Sequence, residues 1–238
     1  MTTHPAQHPR AYDWVGVGRR DDGWVEFTVG GAFAYAWVRF WTNAPTWVLF
    51  VVASVAISLT TQFLVGGFDL DGVQGFVWSG GYSPAAIGGW LVTTVVHALL
   101  AAVLTRAALD EVHGRKASVR AALRLGDPRA VLLGCVLLAA GYAVGTLLLV
   151  LPGLVFAFLA SYTLTYVLDR EQDAVTALRS SVSFVAANVG RFLMLAVAVV
   201  AVNLAGALLF GVGLLLTVPV TMIASMHAFR TLQGERVS

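Results

Sequence analysis

His97 and Asn203 are the side chains best placed to do chemistry, because each stands alone in a long apolar stretch. An imidazole can donate, accept or relay a proton, and a carboxamide can hold a polar group at two points. At membrane depth either is costly without a partner. The plainer role for both is an interhelical hydrogen bond, worth on the order of 1 kcal/mol. Tyr162 and Tyr166 share another apolar stretch with Ser161, Thr163 and Thr165. Such hydroxyls can also bond the backbone of their own helix. His97, Asn203, Tyr162 and Tyr166 together form the candidate intramembrane polar site. Asp169, Glu171 and Asp173 beside Arg170 could gather a metal, but a charge run at the edge of an apolar segment is ordinarily a solvated loop. Arg106, Arg115 and Lys116 offer phosphate contacts on the same slender basis. His97 and His113 lie sixteen positions apart, about 24 Å along an unbroken helix, too far to share an ion. Neither paired acids nor nucleophile–base spacing is visible. The expectation is therefore a non-enzymatic chain with no catalytic residue, no cofactor and no metal.

The elements that must carry these residues are apolar helices. Hydrophobic residues make up 58% of the 238 and charged residues 12%, against about 25% charged in a soluble domain. Mean hydropathy is +0.79. Six stretches read as spans, at about 45–66, 84–108, 129–151, 153–169, 190–211 and 213–230. The fourth and sixth follow the third and fifth so closely that each must be an antiparallel neighbour of its partner. With alternating topology, all 15 Lys and Arg fall on one side, and the other side holds only Asp69 and Asp71. By the positive-inside rule both termini are cytoplasmic. Residues 1–26 form a polar, partly disordered tail, 27–230 the transmembrane domain and 231–238 a second tail. No Asp, Glu, Lys or Arg is expected deep in any span. Cys135, the single cysteine, suits a small buried hydrophobe. Nothing resembles a cleavable signal peptide.

An amphipathic segment precedes each hairpin. Phe33, Trp37, Phe40 and Trp41 form the stripe of the first, near 31–43. Val119, Ala122 and Leu123 form that of the second, near 117–125. Val175, Leu178, Val182, Val185 and Val189 form that of the third, near 173–188. Ser118 and Asp173 are natural N-caps. Asn43-Ala-Pro, Gly126-Asp-Pro and Asn188-Val-Gly end the three segments. The fold class predicted is an all-α membrane protein, with three hairpins each preceded by an interfacial helix, as three copies of one unit. Arg39, Arg120, Arg124 and Arg179 are candidate contacts for anionic lipid headgroups of the inner leaflet. Nucleic acid is not an expected partner, since no basic cluster with interleaved aromatics occurs.

The strings FTVGGAFAYAWVRFWTNAP, RAALDEVHGR, LVLPGLVFAF and GALLFGVGLLLTVPVTMIASMHAFRTLQG resemble a family of small actinobacterial integral membrane proteins. More distantly, they are similar to the membrane domain of some bacterial glycerophosphodiester phosphodiesterases. The resemblance covers roughly residues 27–234 and implies six helices with three peripheral amphipathic ones. It implies no activity, because the phosphodiesterase catalytic domain has no counterpart in the chain. The leading functional expectation is a scaffold, assembly factor or accessory subunit in the bacterial plasma membrane, with a membrane-protein partner or a second copy of itself. The alternative is a transporter or lipid-handling protein with a cleft lined by His97 and Asn203.

Overall fold

The computed structural model describes residues 27–66, 84–148, 150–209 and 211–235. Among them are ten helices and no strand: α1 (Val29–Thr42), α2 (Ala44–Gly66), α3 (Pro84–Val112), α4 (Val119–Ala122), α5 (Pro128–Leu148), α6 (Val150–Leu159), α7 (Thr163–Arg170), α8 (Ala174–Ala187), α9 (Val189–Leu208) and α10 (Leu214–Leu232). Five stretches are long and apolar enough to cross a membrane: Ala44–Val65, Leu91–Val112, Leu151–Arg170, Val189–Leu208 and Leu214–Leu232. A shorter apolar stretch, Pro128–Tyr142, lies in α5. The polar tail 1–26 and the loop holding Asp69 and Asp71 lie outside the described residues.

The junctions follow from backbone chemistry. Thr28 caps α1 by accepting from the Gly31 N–H at 3.1 Å. At Asn43 the backbone turns (φ −144, ψ 28) and its N–H bonds back to Phe40. Asn188 ends α8 with nearly the same geometry (φ −127, ψ 29), bonding back to Val185. The third junction uses Gly126 at φ +72 instead, a conformation glycine adopts without steric cost. Asp173 caps α8 through the N–H groups of Val175 and Thr176.

α3 is the central post, packed against α2, α5, α7 and α10, while α1 lies along α10 and α8 along α7. Small residues set the closest approaches. A Cβ on Gly145 would come 2.5 Å from the Cα of Gly153, and one on Gly141 would enter the Phe156 ring. The step at these two glycines therefore joins α5 to α6 within the chain. Gly206 and Gly213 do the same for α9 and α10. The outer surface is apolar: Leu64 is 76% exposed, Val200 65% and Leu204 59%. Water would penalise such a surface, whereas hydrocarbon would not.

Three features differ from the sequence reading. The buried face of α1 is Gly31, Ala32, Tyr35, Ala36 and Phe40, while Trp37 and Trp41 point outward. In α8 the buried face is Ala174, Ala177, Ser181 and Val185, and Val175 is exposed. Small side chains allow the helices to dock closely, so each stripe is split: Phe40 and Val185 are buried, whereas Trp37, Trp41 and Val175 turn outward. The second segment condenses to four residues, Val119–Ala122. Finally, α3 runs on to Val112, and that last turn carries two buried acids, Asp110 and Glu111, into the protein.

Candidate functional site

The stretch Leu151–Arg170 is not one continuous helix. It breaks at Ala160, Ser161 and Tyr162, between α6 and α7. Ser181 on α8 repairs the break from the side: its hydroxyl accepts from the Tyr162 N–H at 3.1 Å and donates to the Leu159 carbonyl at 2.8 Å. Ser181 is fully buried. Irregular backbone survives in an apolar setting only where protein or a cavity receives it, and this break has both.

The cavity is a cleft of about 470 Å³ between α3, α5, the α6–α7 break, α9 and α10. Its polar lining is Thr94, His97, Thr105, Tyr142, Ser161, Thr221 and Ser225; the rest is alanine, leucine, valine and methionine. His97 is exposed, and its Nε2 lies 3.0 Å from the Ser58 hydroxyl on α2. Asn203 stands behind the α9–α10 wall. Its amide nitrogen donates to the Val199 carbonyl at 3.0 Å and to the Thr221 hydroxyl at 3.1 Å. Its carbonyl oxygen is buried with no partner. Asn203 thus bonds across to Thr221 on α10. Val199 and Thr221 both line the cleft, so His97 and Asn203 attend the same cavity, one directly and one through its wall.

Tyr162 and Tyr166 belong elsewhere. The Tyr162 hydroxyl donates to the Ser225 carbonyl at 3.3 Å, and its ring stacks on Phe229 with centroids 5.4 Å apart. Tyr166 meets Phe229 edge-on, and its hydroxyl accepts from Gln233 at 3.1 Å. These rings bind α7 to α10 as an aromatic core. Ser58 and His97 have the separation of a nucleophile and its base. Yet Ser58 lies outside the cleft lining, and no described group bonds Nδ1 to orient the ring. The contact is an interhelical bond.

A second polar assembly occupies the end of the bundle where α3, α7 and α10 finish. Asp110, 3% exposed, takes Arg115 Nη2 at 2.6 Å and has Arg106 Nε at 4.0 Å. Arg106 also donates to the Leu168 carbonyl at 3.2 Å. Glu111, 1% exposed, accepts from the Asn43 side chain at 2.9 Å and from the Ala117 N–H at 3.1 Å. Asp169 faces His113 Nε2 at 3.3 Å, and Arg170 and Arg230 both pair with Glu235. Asp169 and Arg170 are therefore the tied end of a helix rather than a solvated loop. Burial pushes the His113 ring below the ordinary histidine range, and Arg230 and Arg115 push the same way, while the Leu109 carbonyl and Asp169 pull it up. Both ring nitrogens face acceptors, an arrangement that suits the charged ring. The balance still favours the neutral form, because burial is the largest influence on the ring.

The chain is similar to uncharacterised actinobacterial proteins. One is the "Uncharacterized protein Rv2560" of Mycobacterium tuberculosis, 28% identical over 229 residues, covering 89% of this chain and 70% of the relative. The "Uncharacterized protein Mb2590" of Mycobacterium bovis matches to the same extent. No family model matches the chain, and no solved structure does. The resemblance to the phosphodiesterase membrane domain gains no support from these relatives.

Arg39 donates to the Tyr35 hydroxyl at 3.0 Å, with its guanidinium over the Tyr35 ring. Arg120, Arg124 and Arg179 are exposed. The acids of α3 went unnoticed among the candidates, although Arg106 and Asp110 stand one helical turn apart in RAALDEVHGR. That spacing joins opposite charges on a helix, and it could have extended the second span by four residues. Nothing in the sequence marked Ser161 or Ser181 as partners of a helix break.

Proposed function

We propose that this is a multi-pass membrane protein that binds a small amphiphilic or apolar molecule within its helix bundle, as a carrier or lipid-handling protein. The observation that carries the reading is the His97-lined cleft, opening where the Leu151–Arg170 stretch breaks. Ligand sites of this type are concave, mostly apolar and furnished with a few convergent polar groups. Broken helices beside such cavities are a recurrent device of membrane carriers. This ranking puts the scaffold or accessory subunit second. That reading drew on small residues suited to partner helices, and Gly141 and Gly145 are already occupied by Phe156 and Gly153.

The topology that goes with the proposal is six spans with both ends on the basic side, in a bacterial plasma membrane. The ends of α3, α7 and α10 meet through Arg106, His113 and Arg170, and the start of α2 joins them through Asn43. Even-numbered spans then finish, and the first span starts, at one face.

The test is photolabelling of the protein in nanodiscs with lipids bearing diazirines along their acyl chains. Adducts should concentrate on Thr94–Thr105 and Met222–Met226 rather than on the outer residues Val197 and Leu204. Ala101→Trp, which fills the cleft, should remove the excess. Labelling equal to the outer surface, and indifferent to Ala101→Trp, would refute the reading.

A further inference from the structure

Resting on the cleft as a ligand site, we infer that its ligand presents an uncharged, hydrogen-bonding end, such as the hydroxyl of a diacylglycerol-type alcohol, and not a phosphate or carboxylate. Three observations lead there. None of the described residues lining the cleft is charged, so an ionised group placed in it would give up its hydration without a counter-ion from them. The polar groups that are present suit a neutral partner. The Ser161 hydroxyl, at the helix break, has no partner among the described residues, and neither does Nδ1 of His97, whose Nε2 is taken by Ser58. A hydroxyl can donate to one and accept from the other, since Ser161 and the imidazole can each take either role. Finally, the charged residues gather beyond one end of the cleft, where the α3 lining stops at Thr105 and Arg106 follows it. His97 precedes Asp110 by thirteen positions on the same helix, about 20 Å at the helical rise.

A phospholipid anchored by its phosphate at that charged end would therefore meet His97 with a chain and not with its head. An uncharged alcohol is free to sink to mid-depth. The cleft holds about 470 Å³, near the lower part of the range for ligand sites, which suits a small head and the first part of a chain. The rest of the chain would lie against the apolar exterior.

The full-length protein in nanodiscs is photolabelled with three probes: diacylglycerol and phosphatidylglycerol, each with a diazirine in the first carbons of a chain, and phosphatidylglycerol with one at the chain end. Adducts on the cleft segments from the head-proximal diacylglycerol probe, exceeding those from the head-proximal phosphatidylglycerol probe, are the expected result. Ser161→Ala should reduce them about fivefold, as for one lost hydrogen bond, with chain-end labelling unchanged. Equal labelling by the two head-proximal probes would overturn the inference and leave the cleft as a binding site. Labelling by the chain-end probe alone would do the same, marking a resting place for acyl tails. No cleft adduct from any probe would bring down the binding reading as well.

Discussion

Removing the carboxylate of Glu111 should loosen the bundle at the junction of α1, α2 and α3. Glu111 is 1% exposed, and one oxygen receives both the Asn43 side chain at 2.9 Å and the Ala117 N–H at 3.1 Å. In Glu111→Ala the Asn43 amide keeps its bond to the Ala117 carbonyl at 2.8 Å, but the Ala117 N–H is left buried and unpaired. Hydrogen bonds to a charged group contribute about 1.5–3 kcal/mol each, and an orphaned buried donor costs about 1–3 kcal/mol. Relief of burying the carboxylate at a helix C-terminus offsets part of this. The net expectation is a loss of about 2–4 kcal/mol. Glu111→Gln retains an acceptor oxygen and should recover more than half. The assay is unfolding in mixed detergent–SDS micelles followed by tryptophan fluorescence. Trp47 is a suitable reporter, fully buried and one turn from Asn43, to whose carbonyl its N–H bonds at 3.3 Å. Asn43→Ala combined with Glu111→Ala should cost less than the sum of the two, since they share a bond. A change below about 0.5 kcal/mol for Glu111→Ala, or strict additivity of the pair, would refute the reasoning.

Asn203→Leu removes the bond to Thr221 at 3.1 Å and should cost about 1 kcal/mol in the same assay; no loss would mean that the amide stabilises nothing. Gly145→Ala drives a methyl against the Gly153 backbone and should destabilise by about 1–3 kcal/mol. Gly30→Ala, with open space around it, should be neutral or gain up to about 1 kcal/mol, and a comparable loss at both sites would discredit the packing account. Because the folded His113 ring titrates below its ordinary 6.5, its contribution to stability is complete above that pH and is lost as pH falls through the lowered value. His113→Asn should flatten the acid side of a stability profile between pH 7.5 and 5, and an unchanged profile would contradict this. Cysteine at Asp71 should react with an impermeant thiol reagent in intact cells and cysteine at Lys116 should not; the reverse pattern would sink the six-span topology.

The membrane class, the run of helices and their capping residues were legible, because each rests on local chemistry. Ser118 and Asp173 act within three residues of their own position. The faces of α1 and α8 were not legible, because periodicity reveals a stripe but not which solvent it meets. In water the bulky stripe seeks the core. In hydrocarbon both faces are apolar, so steric fit decides, and Ala32, Ala36 and Ala177 win the interior over Trp37 and Val175. The buried acids were hidden for a related reason. Asp110 and Glu111 look like a span's polar flank until Arg106, Arg115 and Asn43 close around them; the two arginines are near in sequence, but only the fold brings Asn43, 68 positions from Glu111, to the carboxylate.

The cleft joins these two kinds of information. His97 was visible as a lone imidazole, but its significance depends on the break at Ala160–Tyr162, and the break depends on Ser181 from another helix. Ser161, Tyr162 and Thr163 are only middling helix formers, so propensity permits an interruption there without dictating one. The reason is tertiary: Ser181 offers the Leu159 carbonyl and the Tyr162 N–H a pair of bonds that a continuous helix would have supplied, and Tyr162 gains its stack on Phe229. With the backbone satisfied from the α8 side, Ser161 is left on the cleft side with its hydroxyl uncommitted. A position that is neither helix nor core, in a stretch otherwise apolar enough to span a membrane, is where a ligand's polar end meets least competition from the protein's own hydrogen bonds.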